Sequence, residues 1–157
     1  MKRHSNTFIT TIACLMISCG LGLSWIISND YVGLRENCSE SLPFTYFLSI
    51  KKSASQKGQY VSIEHPKSSM LLAKKIIGVE GDRVSISGQH VFINEIDYGS
   101  LKSSFSNGDP LTPISETIIP NGYVFVYAPH PDSFDSRYAD FGLVRIKHLK
   151  EVLWPLF

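Results

Sequence analysis

Cysteine is scarce in this chain of 157 residues: there are three, at positions 14, 19 and 38. Two of them fall inside an apolar run, so the rest of the chain holds Cys38 alone. That excludes a disulfide framework in the soluble part and a cysteine-based metal set. An excess of charge of one sign is also missing. Fifteen Lys and Arg face 14 Asp and Glu, a net charge of +1. With no basic cluster, a nucleic-acid surface is excluded. The five histidines form no His-x-x-x-His pair, and no Gly-x-Ser-x-Gly elbow occurs. These absences weigh against a metal site or a histidine triad, although His130 lies near Asp132 and Asp135, and His65 and His90 are available. No metal or cofactor is expected. No internal repeat or heptad is present, and outside the N-terminal run no stretch reads as an amphipathic helix.

What is present begins with that run. Phe8 to Ile27 contains no charged residue. Twenty helical residues at about 1.5 Å each span about 30 Å, the thickness of a bilayer core. Lys2, Arg3 and His4 precede it and Asp30 follows, which orients the N-terminus to the cytoplasm. Trp25 sits where an interfacial aromatic belongs. The expected division is residues 1–29 as cytoplasmic N-terminus and transmembrane anchor, and 30–157 as a domain outside the inner membrane. Two alternatives stay open. A cleaved signal peptide has a shorter apolar core than this. Met16-Ile17-Ser18-Cys19 loosely resembles a lipid-modification site, although the apolar run continues past Cys19.

The remainder reads as strands joined by turns. Residues 29–40 are polar, lack periodicity and read as a tether. Phe44–Ile50, Gly58–Ile63 and Met70–Val79 read as strands, Asp82–Asn94 as a hairpin, and Gly122–Tyr127 as a further strand. Residues 98–121, rich in Ser, Pro, Gly and Asn, read as an irregular connection. Val144–Ile146 and Glu151–Trp154 close the chain, the former a candidate short strand. The fold class expected is all-β on a helical stalk.

Three stretches carry candidate chemistry. The first is Ser41-Leu42-Pro43, about a dozen residues beyond the apolar run. The second is Lys74-Lys75-Ile76-Ile77-Gly78-Val79-Glu80-Gly81-Asp82. The third is Ser133-Phe134-Asp135-Ser136-Arg137-Tyr138. A serine needs a base before it can attack an amide, and a desolvated lysine can serve, as in known variants of the triad. Free lysine has a pKa of about 10.4, and bringing it to near neutrality costs about 4 kcal/mol. Leu71, Leu72, Ile76 and Ile77 are apolar neighbours able to supply the burial. Adjacent lysines on a strand point to opposite faces, so one goes inside and one to solvent.

In this order the three stretches resemble the boxes of the signal peptidase I family, and within it the small TraF-like peptidases of conjugative plasmid transfer. The resemblance runs over about residues 8 to 157. Ser41-Leu42-Pro43 is the short Ser-x-Pro form of the serine box. The lysine box matches Lys74 to Asp82 with Lys75 in place of arginine, and the last box matches Ser133 to Tyr138 unbroken. The resemblance implies a compact signal-peptidase-I-like β domain on one transmembrane helix, with Ser41 as nucleophile and Lys74 as the inward-facing base. Ser133 would orient the lysine amine. Ser39 would help bind the oxyanion, or be a plain tether residue. Asp82, Asp135, Ser136 and Arg137 would be structural, with Asp135 and Arg137 an ion pair beneath the site. Gln59 replaces the family's usual Asp, which affects structural hydrogen bonds and not the chemistry.

The implied activity is a Ser/Lys endopeptidase that removes leader peptides from membrane-bound preproteins, prepilins or other conjugative transfer proteins. The implied location is the bacterial inner membrane, single-pass, with the catalytic domain periplasmic. About 50 residues separate the lysine box from the last box, which suits the compact plasmid type. Three alternatives remain: a pilin cyclase, a non-catalytic pilus-assembly scaffold, and a self-cleaving Ser/Lys repressor. The anchor and the lack of a DNA-binding segment disfavour the last. Nothing in the sequence marks the amine-binding pocket that a cyclase needs.

Overall fold

A computed structural model describes residues 3–28, 31–37, 41–51, 56–66, 68–105 and 108–157; for residues 3–10, 13 and 27 it describes the backbone only. The apolar run lies within one helix, α1 (Arg3–Ser28), of 26 residues. Among the described residues, whose side chains in α1 begin at Thr11, no helix is long and apolar enough to cross a membrane.

The rest is β structure. The strands are β1 (Val32–Glu36), β2 (Tyr46–Ile50), β3 (Tyr60–Glu64), β4 (Leu71–Gly78), β5 (Arg83–Ser87), β6 (His90–Ile93), β7 (Ile96–Ser100), β8 (Thr117–Ile118), β9 (Tyr123–Tyr127), β10 (Val144–Arg145) and β11 (Leu149–Pro155). They form a seven-stranded sheet in the order β1-β2-β11-β3-β4-β9-β10 and a four-stranded sheet in the order β7-β6-β5-β8. Described neighbours pair antiparallel.

Two expectations are corrected here. Residues 29–40 are not merely a tether, because Val32–Glu36 pairs along its length with β2. Residues 98–121 are not wholly irregular, because β7 takes in Tyr98–Ser100 and β8 closes the second sheet. The closing stretch, Glu151–Trp154, falls in β11, which lies inside the large sheet between β2 and β3.

Alternation explains the two cores. Val61, Ile63, Ile76, Val124, Val126 and Val152 bury one face of the large sheet. In the hairpin, Val84, Val91 and Ile93 are fully buried, and with Ile77 and Phe125 they join the small sheet to the large one. Strand β4 serves both cores, Ile76 in one and Ile77 in the other, across a register shift before Gly78. Gly78 is required there. A Cβ would lie 2.6 Å from Ile119 Cδ1 and 3.0 Å from Phe125 Cβ. Gly81 follows at φ +84°, a left-handed conformation that favours glycine. It lets Asp82 turn back so that its carboxylate accepts the Val79 N–H at 2.9 Å.

Candidate active site

The lysine box sits where β4 passes between β3 and β9. Lys74 pairs opposite Val61, and Lys75 opposite both Tyr60 and Tyr127. Lys74 is only 2% exposed. Lys75 is half-buried, its ammonium 5.3 Å from the centroid of the Tyr60 ring. Burial pushes the Lys74 amine down from its ordinary 10.5 to about 8; the nearby Asp135 carboxylate works against burial and the Arg137 guanidinium adds to it. Lys74 Nζ donates to Ser133 Oγ at 2.5 Å.

The last box delivers that serine on a rigid loop after β9. Asp135 is fully buried, and its Oδ1 meets Arg137 Nε at 2.8 Å. Its Oδ2 accepts the Ala128 N–H at 3.1 Å. The Arg137 Nη2 group reaches the carbonyls of Ala128, His130 and Ser133 at 3.4, 3.4 and 3.2 Å. Its guanidinium stands over the Tyr127 ring, 4.9 Å from the centroid. Ser136 Oγ accepts the Val126 N–H at 3.1 Å, and the Ser136 N–H donates to Val126 O. The buried pair is thus compensated on both partners, which is what an ion pair out of water requires. On the outer side Lys102 pairs with Asp132, next to Ser133.

Ser41 lies half-buried in a turn. Its neighbour Leu42 is 4% exposed and packs with Phe47, Ala128 and Leu153, against which Phe44, Tyr60 and Ala73 also pack. Ala73 precedes Lys74, and Ala128 carries the N–H that Asp135 accepts, so this cluster draws the three boxes together. The hydrogen bond described for Lys74 goes to Ser133 and not to Ser41. The serine turn is stapled from β1. Asn37 Nδ2 donates to Leu42 O at 3.2 Å and to Phe44 O at 2.8 Å, and the Asn37 N–H to Thr45 O at 2.8 Å. Ser39 lies outside the described residues.

Asp82 stays away from the lysine amine. It accepts from Asn94 Nδ2 at 2.6 Å and from Lys57 Nζ at 3.3 Å. Burial pushes its carboxyl up, but the Val79 N–H, Asn94 and Lys57 outweigh that and hold it below its ordinary range. His130 is a loop residue whose Nδ1 accepts the Asp132 N–H. Among the described residues no cluster of His, Cys, Asp or Glu is placed to hold a metal ion.

A groove of about 420 Å³ ends at Ala73, next to Lys74 in sequence, and is lined by Arg35 and Asn37 as well as by Met70–Ala73. Strand β1 is the outermost strand of its sheet, and β4 meets β9 only from Lys75 onward. Among the described residues each therefore presents a side that no strand takes, the arrangement in which an extended peptide adds as a strand. Glu151 lines the groove, pinned by Arg35 at 2.7 and 3.2 Å and by Ser62 Oγ at 3.2 Å. Burial raises the Glu151 carboxyl, and the bonds from Arg35 and Ser62 outweigh it to hold the group low. Neither Asn37 nor the Arg35–Glu151 pair was foreseen from sequence. Asn37 and Arg35 fell in the supposed tether and Glu151 in the closing segment.

Comparisons with known proteins give the family. The probable conjugal transfer protein TraF of Sinorhizobium fredii (strain NBRC 101917 / NGR234) is 35% identical over 68 residues, 43% of this chain and 36% of that protein. The match thus spans about a third of that relative's length. The crystal structure of a signal peptidase I from Enterococcus faecalis V583 superposes with a TM-score of 0.43 at 24% identity, covering 64% of this chain and 97% of the other. The family model described as "Signal peptidase, peptidase S26" matches residues 4–152, nearly the whole sequence. This chain belongs to the signal peptidase S26 family.

Proposed function

We propose that the protein is a membrane-anchored serine endopeptidase that removes leader peptides from exported proteins. Residues 1–29 supply the cytoplasmic N-terminus and transmembrane anchor, and residues 30–157 the catalytic domain, on the periplasmic side of a bacterial inner membrane. The observation that carries this reading is the Lys74 amine: buried, brought down to about 8, and aimed by Ser133 at a distance of 2.5 Å. A lysine kept out of water at such cost suits a general base better than a structural cation.

In the proposed cycle a leader lies in the groove between β1 and β4 as an added strand. Ser41 Oγ attacks the scissile carbonyl carbon while its proton passes to Lys74 Nζ. The oxyanion is held by the Ser41 N–H, with Ser39 as a second donor. Collapse breaks the C–N bond, and the Lys74 ammonium returns the proton to the departing amine. Water then attacks the Ser41 ester, giving its proton to the same lysine, which passes it to Ser41 Oγ as the ester C–O bond breaks and the leader's new C-terminal carboxyl group is released. Similarity to a probable conjugal transfer protein supports pilin precursors or other transfer proteins as substrates.

The test is N-terminal sequencing of exported proteins from cells carrying the wild type, Ser41→Ala or Lys150→Ala. Lys150 is a surface residue paired with Glu64 and serves as the control. Leaders retained with Ser41→Ala and removed with Lys150→Ala are expected. Normal processing by Ser41→Ala ends the proposal.

A further inference from the structure

A second cavity lies at the serine turn. It holds about 340 Å³ and is lined by Leu42, Pro43, Tyr60, Lys75, Tyr127 and Pro129, among others. The two cavities divide β4 between them. Met70–Ala73 line the first, Lys75–Ile77 line the second, and Lys74 falls at the boundary.

Pairing explains the boundary. From Lys75 onward β9 occupies the edge of β4, Lys75 against Tyr127. An extended peptide laid along Leu71–Lys74 must therefore leave that edge at Lys75. It leaves at the point where Leu42, Pro43 and Tyr127 open the second cavity. The residue at which strand addition has to stop is thus the neighbour of the proposed base.

We infer that this second cavity binds the part of the substrate on the carboxyl side of the scissile bond, and that Lys75 selects an acidic side chain there. The inference rests on the peptidase reading above. The assignment of sides follows from the order of the chemistry. The acyl half must be held through two steps, first as peptide and then as ester, whereas the amine half leaves after the first. The groove with strand edges on two sides suits the half that stays.

The charge of the cavity sets the preference. Among the described residues no acidic side chain lines it. Lys57, at its rim, is paired with Asp82 at 3.3 Å. Among the described residues no carboxylate pairs with Lys75, whose ammonium lies over the Tyr60 ring. Tyr60 and Tyr127 wall the site, and Tyr98 packs edge-on against Tyr127 with ring centroids 5.5 Å apart. An aromatic-walled site with one half-buried cation fits an extended peptide carrying Asp or Glu shortly after the cut.

The probe is a mixture of synthetic peptides with small residues before a central bond and randomised residues at the three positions after it. It is digested by the full chain in detergent, and the products are mapped by mass spectrometry. Asp and Glu should be enriched after the cut about two- to fivefold, the size a partly exposed ion pair carries. Lys75→Gln should abolish the enrichment, and Lys75→Glu should replace it by enrichment of Lys and Arg. The residues chosen before the cut should be the same for all three enzymes. Cleavage without acidic enrichment, enrichment that survives Lys75→Glu, or enrichment confined to the amino side overturns this inference and leaves the peptidase standing. A wild type that cuts nothing, or cuts equally well as Ser41→Ala, overturns the peptidase reading and this inference with it.

Discussion

Lys74 Nζ and Ser133 Oγ lie 2.5 Å apart although 59 residues separate them in sequence. One comes from the middle of β4, the other from the loop after β9, and the Asp135–Arg137 pair fixes the second against the first. On the proposed mechanism this contact orients the base. Ser133→Ala should lower kcat about 10²-fold, the scale of a misplaced catalytic group, with little change in KM. Ser133→Thr, which keeps the hydroxyl, should recover part of the loss. Equal kcat in Ser133→Ala and wild type would remove the orienting role.

The depressed lysine also sets a pH profile. Lys74 must be neutral to take the Ser41 proton, and its amine titrates at about 8. For the full chain in detergent, kcat/KM should rise tenfold per pH unit below that point and level off above it. A profile flat between pH 6 and 9 contradicts Lys74 as the base.

The same burial has a stability sign. Below about pH 8 both folded and unfolded chains hold the Lys74 proton, and the fold carries its full cost. Between about 8 and 10.5 the folded protein releases a proton that the unfolded chain keeps, so stability rises with pH. The gap from 10.5 to about 8 corresponds to about 3 kcal/mol. Lys74→Met should therefore be inactive yet more stable than wild type at pH 7, by up to about 3 kcal/mol, with the advantage shrinking by pH 10. Thermal melts at the two pH values decide it. Equal or lower stability of Lys74→Met at pH 7 shows that the buried lysine is not a cost to the fold.

How much of this was legible follows from what each residue touches. The strands with strict alternation, Val84 and Ile86 facing Val91 and Ile93, are visible in sequence because their pattern is local. Strand β1 is not: Val-Gly-Leu-Arg-Glu sits at the sheet edge with Leu34, its middle residue, exposed and Gly33 beside it. Strand β11 is masked by a polar residue. Glu151 is buried where alternation expects an apolar side chain, because Arg35, from β1, comes to meet it. The Asp135–Arg137 pair was expected because the last box is contiguous. Both cavities went unseen because each is built from segments far apart in sequence.

Asn37 carries the last prediction. Its amide is the staple between β1 and the serine turn, donating to Leu42 O and Phe44 O on either side of Pro43. Both partners are carbonyls, so the position requires a donor. Asn37→Ala removes the staple and leaves two part-buried acceptors, which should cost about 1–3 kcal/mol. Asn37→Asp keeps the shape but points an acceptor at acceptors, and at neutral pH it adds a negative charge beside the Leu42 and Phe44 carbonyl oxygens. It should therefore be the worse of the two in both Tm and kcat, although it is the closer isostere. Because Ser41 precedes Leu42, a loosened turn moves the nucleophile relative to Lys74, and kcat should fall about 10²-fold while peptide binding in the groove changes less. A purely structural role predicts a different pattern, with Tm lowered and kcat unchanged at a temperature where the variant is folded. Full-chain kcat, KM and melting curves for both variants separate the two, and an Asn37→Asp enzyme as active as wild type removes the staple from the mechanism.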